Sequence, residues 1–183
     1  MILNKKNISI IKKLKKNKSI VMCHGVFDVL HYGHITHFEE AKKNGDILIV
    51  SITDNKFVNK GPNRPMFDSS IRAKSILALK VVDYVIVSKD FDCINILKQI
   101  KPNFFAKDIE YINKKHSSNK TFEIEKNFLK KINCQLIYTH QKKLSSSEII
   151  EFKFKNKDKN IQSYLDSISK KFDYKYIESL LLN

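Results

Sequence analysis

The chain has 183 residues, of which 42% are hydrophobic, and a formal net charge of +15 at pH 7. This length and apolar content suit one domain with a sizeable core and exclude an intrinsically disordered chain. With only four glycines, the sequence contains neither the glycine-rich dinucleotide fingerprint nor a Walker-type phosphate loop, which excludes those two classes of nucleotide-binding protein.

The excess positive charge comes almost entirely from lysine, since the chain has only two arginines, Arg64 and Arg72. A polyanionic partner such as a nucleotide, a nucleic acid or a membrane surface is one explanation. Nucleic-acid surfaces usually combine arginines with aromatic residues, so we favour solvated lysines and expect neither a nucleic-acid nor a membrane partner. Three scattered cysteines with no zinc or disulfide spacing, and no membrane-length apolar run or signal-peptide core, predict a cytoplasmic protein.

Apolar periodicity predicts alternating strands and helices along the chain. An amphipathic helix over residues 4–16 is expected to pack against a sheet, although a membrane or RNA surface would also suit it. Strands are predicted at residues 19–24, 46–52, 83–87, 103–106 and 134–139, and helices at 33–43, 68–80, 90–100, 121–131 and 148–155. This order predicts an α/β fold, namely a Rossmann-like doubly wound sheet of five parallel strands over residues 1–155. Residues 156–183 are predicted to form a small helical tail.

Two histidines stand three residues apart where the first predicted strand gives way to a helix, in His31-Tyr32-Gly33-His34. A helix N-terminus presents free N–H groups and the positive end of the helix dipole, which suits a phosphate group. Gly33 allows a ligand to approach the backbone closely. Two imidazoles there can donate hydrogen bonds to charge that builds up on a phosphorus centre. Loops after other strands should reach the same edge of the sheet.

The stretch Gly25-Val-Phe-Asp-Val-Leu-His-Tyr-Gly-His34 resembles the HxGH signature of the nucleotidylyltransferase superfamily. In particular it resembles the cytidylyltransferase-like branch, which holds glycerol-3-phosphate cytidylyltransferases and the nucleotidyl-transfer domain of ADP-heptose synthases. The resemblance extends over residues 20–150. It implies an enzyme in which a phosphorylated substrate attacks the α-phosphate of a nucleoside triphosphate and pyrophosphate leaves.

The resemblance also implies roles for individual residues. His31 and His34 would bind the α- and β-phosphates, and Lys60 and Arg72, which has a salt bridge as its alternative role, complete the expected catalytic set. Lys60 and Arg64 would face the acceptor's phosphate. Lys107 would touch phosphate or ribose, although Asp108 follows it where heptose-type relatives carry glycine. The expected nucleotide-binding residues are Gly25, Val26, Phe27, Asp28, Gly33, Lys107, Ser145, Ser146 and Ser147, of which the serines are also ordinary helix N-caps.

The leading interpretation is transfer of CMP from CTP to a phosphorylated polyol or sugar, giving a CDP-activated precursor of a surface polysaccharide. The alternative is an ATP-dependent adenylyltransferase acting on heptose 1-phosphate. A different class, a basic nucleic-acid-binding or non-catalytic regulatory protein, would share the fold. Mg²⁺ is expected to accompany the triphosphate without assigned protein ligands, and a homodimer is expected by resemblance. His37 is expected on the helix surface or on the substrate side, because a zinc site with His31 and His34 lacks further ligands.

Overall fold

The computed structural model describes residues 1–4, 7–59, 64–90, 92–109 and 120–140. All of them belong to residues 1–144, the first of two units into which the chain divides. The second unit, residues 145–183, lies outside the described residues. The predicted tail and its boundary after residue 155 therefore stay predictions.

A parallel sheet forms the centre of the described unit, and its strand order is β1-β4-β3-β2-β5-β6. The prediction of a Rossmann-like parallel α/β sheet is confirmed, and each of the five predicted strands is present. The sheet of the described residues has six strands, one more than the five predicted. The described strands are β1 (Ile2–Leu3), β2 (Ile20–Gly25), β3 (Ile47–Thr53), β4 (Tyr84–Ser88), β5 (Phe104–Asp108) and β6 (Gln135–Thr139).

Helices cover both faces of this sheet, which explains why every residue of β3 is buried. On one face, α1 (Ser9–Leu14), α4 (Ile94–Ile100) and α5 (Lys120–Lys131) pack on a core that includes Met22 and Phe105. On the other face, α2 (Tyr32–Lys42) and α3 (Ser69–Leu77) pack on Val50 and its neighbours. None of the helices in the described part of the chain is long and apolar enough to cross a membrane.

The amino-terminal stretch differs from its prediction. Ile2 and Leu3 pair with β4 as a short edge strand, and the helix begins only at Ser9. Ile11 is 1% exposed and belongs to the core. The helix therefore packs against the sheet, as we predicted in preference to a membrane or RNA surface. A two-residue strand is too short to show an alternating pattern, and the helical prediction rested on the spacing of the apolar residues that follow it.

The connectivity creates a switch point beside β2. From β2 the chain adds β3 and β4 on one side, and then crosses over to place β5 and β6 on the other. Loops that leave the carboxyl ends of β2 and β5 therefore diverge, and ligands of open α/β sheets bind in such a crevice. The HYGH stretch, residues 31–34, follows the carboxyl end of β2 after a segment of five residues.

Candidate active site

His31 and His34 lie together at the start of α2. His31 is the N-cap residue in extended conformation, and its carbonyl accepts the amide N–H groups of His34 (2.9 Å) and Ile35 (3.2 Å). Because residues i and i+3 share one helix face, the two imidazole rings stack with their centroids 3.7 Å apart and their planes 27° from parallel. The structure thus brings together the two histidines that the sequence singled out.

The protonation state of His31 follows from its surroundings. Burial lowers the pKa of His31, so its ring is neutral at pH 7 and carries one N–H donor. Its Nδ1 atom is buried and has no hydrogen-bond partner among the described residues. An anion close to this ring would favour the protonated form of His31, because opposite charges attract.

Phe27 and Gly25 support this pair from the end of β2. Phe27 has a left-handed backbone (φ 47°), which an aromatic residue rarely adopts. Its ring meets His34 edge-on at 5.1 Å and packs 4.9 Å from Phe38. A Cβ atom at Gly25 would lie 3.0 Å from Phe27 Cζ, so glycine leaves the room that the ring occupies. Both residues thereby position His34, while their predicted contacts with the nucleotide stay predictions.

Asp28 fastens a second loop to the end of β2. Its carboxylate, 5% exposed, accepts the amide N–H groups of Met66 (2.9 Å) and Phe67 (3.1 Å). Arg64 Nε lies 3.0 Å from Asp28 Oδ2, which makes an ion pair without a well-aligned hydrogen bond. Arg64 is therefore attached through Asp28 to the segment between β2 and the HYGH stretch, and its predicted contact with the acceptor stays a prediction.

Arg72 connects three segments around the site. It is 1% exposed, and its guanidinium donates to the carbonyls of Phe67 (2.8 Å), Val26 (2.5 Å) and Thr53 (3.0 Å). Burial lowers the pKa of Arg72, and nearby aspartates oppose that shift. Because each of its three nitrogens bonds a protein acceptor, we describe Arg72 as a positioning residue. The direct catalytic part predicted for it stays a prediction.

Asn55 is a positioning residue that the sequence reasoning missed. Its Oδ1 accepts Arg72 Nη2 (2.7 Å) and the Ser69 amide (2.8 Å), and its Nδ2 donates to Asp68 Oδ1. It thereby attaches the start of α3 to the end of β3. A polar residue two positions beyond a fully buried strand, at the edge where the strands end, is the signal that would have found it.

Lys107 forms a buried ion pair that the sequence did not predict. Its side chain lies on the α4–α5 side of the sheet, with Nζ 2.8 Å from Glu125 Oε2 and both side chains less than a tenth exposed. The Phe105 and Phe122 rings lie 5.2 and 5.8 Å from that ammonium. Glu125 also accepts the Cys93 thiol (3.2 Å) and raises the pKa of that thiol further than burial alone does. The predicted contact of Lys107 with the nucleotide is not tested.

Two further histidines, the buried His37 and the half-buried His24, lie near the carboxyl ends of the strands. His37 is 4% exposed and its Nδ1 lies 2.6 Å from Thr139 Oγ1, so the expectation of a surface position was wrong. His24 Nδ1 lies 3.0 Å from Ser51 Oγ. Burial, assisted by the charge of Lys107, lowers the pKa of His37 to about 4 and that of His24 to about 3. Both are neutral at pH 7, and His37 joins α2 to β6.

Residues 22–152 match the model of a protein family described as cytidylyltransferase-like. The chain belongs to the cytidylyltransferase-like family. This membership confirms the predicted resemblance and the predicted enzyme class, a nucleotidyltransferase.

Two groups of known proteins resemble this family member. The "Bifunctional protein HldE" of Campylobacter fetus is 38% identical over 103 residues, which are 55% of this chain and 22% of that protein. The protein of the same name from Pseudomonas entomophila is 40% identical over 97 residues, which are 52% of this chain and 20% of that protein. The match thus spans about a fifth of the length of these curated relatives.

Among solved structures, a lipopolysaccharide core biosynthesis protein from Thermoplasma volcanium superposes with a TM-score of 0.56 at 29% identity, covering 70% of this chain and all of that one. A pantoate-beta-alanine ligase from Francisella tularensis superposes with a TM-score of 0.57 at 21% identity, covering 80% of this chain and 69% of that one, and shares the fold.

Some family positions predicted from the sequence lie outside the described residues. These are Lys60, Ser145, Ser146 and Ser147. Their parts in binding the acceptor and the triphosphate stay predictions.

Proposed function

We propose that this chain transfers AMP from ATP to a phosphorylated sugar of the heptose 1-phosphate class and releases pyrophosphate. The observation that carries the transfer reaction is the stacked pair of His31 and His34 at the start of α2. The curated relatives named HldE, and the resemblance to the nucleotidyl-transfer domain of ADP-heptose synthases, support ATP and a heptose phosphate.

In the proposed reaction, an oxygen of the acceptor phosphate attacks the α-phosphorus. The bond from that phosphorus to the oxygen bridging it to the β-phosphate breaks, and pyrophosphate carries away the negative charge. The acceptor phosphate is largely ionised at pH 7, because its second pKa is about 6, so the step needs no strong general base. The protein's task is in-line positioning and stabilisation of developing charge. The nucleotide enters as its Mg²⁺ complex, so the metal belongs to the substrate.

The imidazole pair suits the second of these tasks. A neutral His31 can donate one hydrogen bond to the α- or β-phosphate, and the helix N-terminus adds its positive dipole. As charge builds up on the leaving pyrophosphate, protonation of one ring becomes more favourable. Arg64, held beside Asp28, would meet the acceptor phosphate, and Arg72 would keep the supporting loops in place.

A second candidate is transfer of CMP from CTP to a phosphorylated polyol, which the description of the matched family supports. Measuring pyrophosphate release with ATP and CTP, each combined with heptose, glycerol, ribitol and hexitol phosphates, separates the two candidates. We expect the highest turnover with ATP and heptose 1-phosphate. Higher turnover with CTP and a polyol phosphate would replace the first candidate by the second. The expected homodimer, the cytoplasmic location and use of the product in a surface polysaccharide are not tested by this screen.

Replacing His34 by alanine tests the transfer reaction itself. We expect the His34→Ala variant to keep its circular dichroism spectrum and to lose roughly 100- to 1000-fold in kcat, as removal of one donor to developing charge typically does. Glu39→Ala is the matched control, since Glu39 is an exposed residue of the same helix. Near-normal turnover by His34→Ala with every substrate pair that wild type uses would refute the assigned role.

A further inference from the structure

A half-open cavity of about 600 Å³ lies between the C-terminal ends of α1 and α4. Three lysines from the end of α1 and two from the end of α4 line it, together with Ile8, Gln99 and Ile100. No acidic residue is among the described residues of this lining. We call this feature the lysine groove, with the lysines Lys12, Lys15, Lys16, Lys98 and Lys101.

The lysine groove lies at the opposite edge of the sheet from the HYGH stretch. The chain passes from Lys101 to Asn103, whose side-chain oxygen accepts the amide N–H of Ile20, the first residue of β2. The HYGH stretch follows the other end of this strand. A strand of six residues spans about 17 Å at 3.3–3.4 Å per residue. A phosphate bound by the lysine groove is therefore too far from the HYGH stretch to contact both.

Helix ends explain only part of this charge. A lysine near a helix C-terminus is favoured by the negative end of the dipole, and Lys15 Nζ donates to the carbonyl of Lys101 at the end of α4. Partial burial and the charge of Lys101 lower the pKa of Lys15, although Cys134 opposes that shift. The ion pairs of the described residues involve none of the five lysines. The groove thus concentrates positive charge without a described carboxylate to offset it.

We propose that the lysine groove binds a small polyphosphorylated anion. Its volume falls within the roughly 300–1000 Å³ of small-molecule sites. Ammonium groups bind phosphate oxygens as point charges, while their methylene stems supply the apolar part of the wall. This inference is independent of the transfer reaction proposed above.

The shape and composition favour a small ligand over a macromolecule. Single-stranded nucleic acids are usually bound by stacking on aromatic side chains and by arginines, and the described lining contains neither. Four of the five lysines are exposed, as the basic side chains of a membrane-binding face also are, but here they surround a concave space, which favours a small ligand.

Amide NMR titration of the full chain with inorganic triphosphate, at constant ionic strength, tests the proposal. We expect saturable shifts of the amides of residues 12–16 and 98–101, in addition to shifts near the HYGH stretch. In the variant Lys12→Gln/Lys98→Gln/Lys101→Gln the groove affinity should fall about tenfold or more, because three charge contacts are lost. The milder variant Lys12→Gln/Lys16→Gln should show a smaller loss of triphosphate affinity. It replaces the triple variant in the test if the triple variant does not fold.

A charge-matched control separates a site from general electrostatic attraction. The variant Lys43→Gln/Lys80→Gln/Lys131→Gln removes the same charge from exposed positions outside the groove and should bind triphosphate there as wild type does. Equal weakening in control and groove variants, or no saturable shift in the groove, would overturn the proposal. Tighter binding of a ten-nucleotide RNA at the same amides would overturn it in favour of a nucleic-acid surface.

Discussion

Arg72 offers the sharpest test of how the loops around the site are held. Replacing it by methionine keeps most of the side-chain volume and removes every donor. The carbonyls of Val26, Thr53 and Phe67 and the side-chain oxygen of Asn55 then lose a charged partner. We expect the ends of β2 and β3 and the loop before α3 to separate.

The magnitude follows from the number and burial of these bonds. Hydrogen bonds to a charged group contribute about 1.5–3 kcal/mol each, so four of them give a gross loss of about 6–12 kcal/mol. Removing a buried guanidinium also returns its desolvation cost of several kcal/mol. We therefore expect Arg72→Met to lower the free energy of unfolding by about 3–5 kcal/mol, as breaking a buried charged network usually does.

Urea unfolding followed by circular dichroism measures this loss directly. Arg72→Lys keeps the charge but cannot reproduce the planar fork, so we expect an intermediate loss. Lys74→Met, at an exposed position of the same helix, is the control and should change stability by no more than about 0.5 kcal/mol. If Arg72→Met remained within about 1 kcal/mol of wild type, the assignment of Arg72 as the connection between these segments would be wrong.

Three further predictions concern the buried charges and the support of the imidazole pair. Glu125→Gln should cost about 3–5 kcal/mol of unfolding free energy in urea, because it leaves the ammonium of Lys107 buried without its carboxylate, and a loss below about 1 kcal/mol would contradict this. Acidification should lower the free energy of unfolding through His37. Its pKa of about 4 in the folded protein lies below the ordinary 6.5, so the unfolded chain takes up the proton first. The contribution of His37 to stability is complete above pH 6.5 and falls as the pH drops toward 4. That fall is on the order of 3 kcal/mol, since each unit of pKa difference corresponds to about 1.4 kcal/mol. Urea unfolding of His37→Gln between pH 7 and pH 4 should show a stability that depends less steeply on pH than that of wild type. An equally steep pH dependence would exclude His37 as its source. Gly25→Ala should displace the Phe27 ring and reduce pyrophosphate release with little loss of stability, whereas wild-type kcat would show that the ring does not position the histidines.

Local patterns in the sequence predicted most of the fold. The continuous apolar run of β3 indicated a strand buried on both faces, and the structure confirms it. The HYGH stretch was expected between a strand and a helix start, where it lies. The pairing of Ile2 and Leu3 with β4 was missed because it depends on a contact with residues more than 80 positions away.

The supporting contacts of the site were harder to predict, because their partners come together only in the folded chain. Nothing in the sequence around Arg72 shows that its acceptors are carbonyls of Val26 and Thr53. Glu125 was detectable in principle, since it lies on the same face of α5 as Phe122 and Leu129, three and four residues away, and that face is buried. A carboxylate on such a face needs a hydrogen-bonding or charged partner, and the structure identifies the ammonium of Lys107 as that partner.

The carboxylate of Asp28 divides its bonding between two kinds of partner. Two backbone amides hold the chain at Met66 and Phe67, while the guanidinium of Arg64 is attached through a single, about one-third exposed contact. A phosphorylated molecule that drew Arg64 away would sacrifice only this weaker link, and the segment that carries the arginine would stay anchored. In the proposed reaction, Arg64 would thus exchange the carboxylate for a phosphate in each cycle while Met66 and Phe67 stay attached to Asp28.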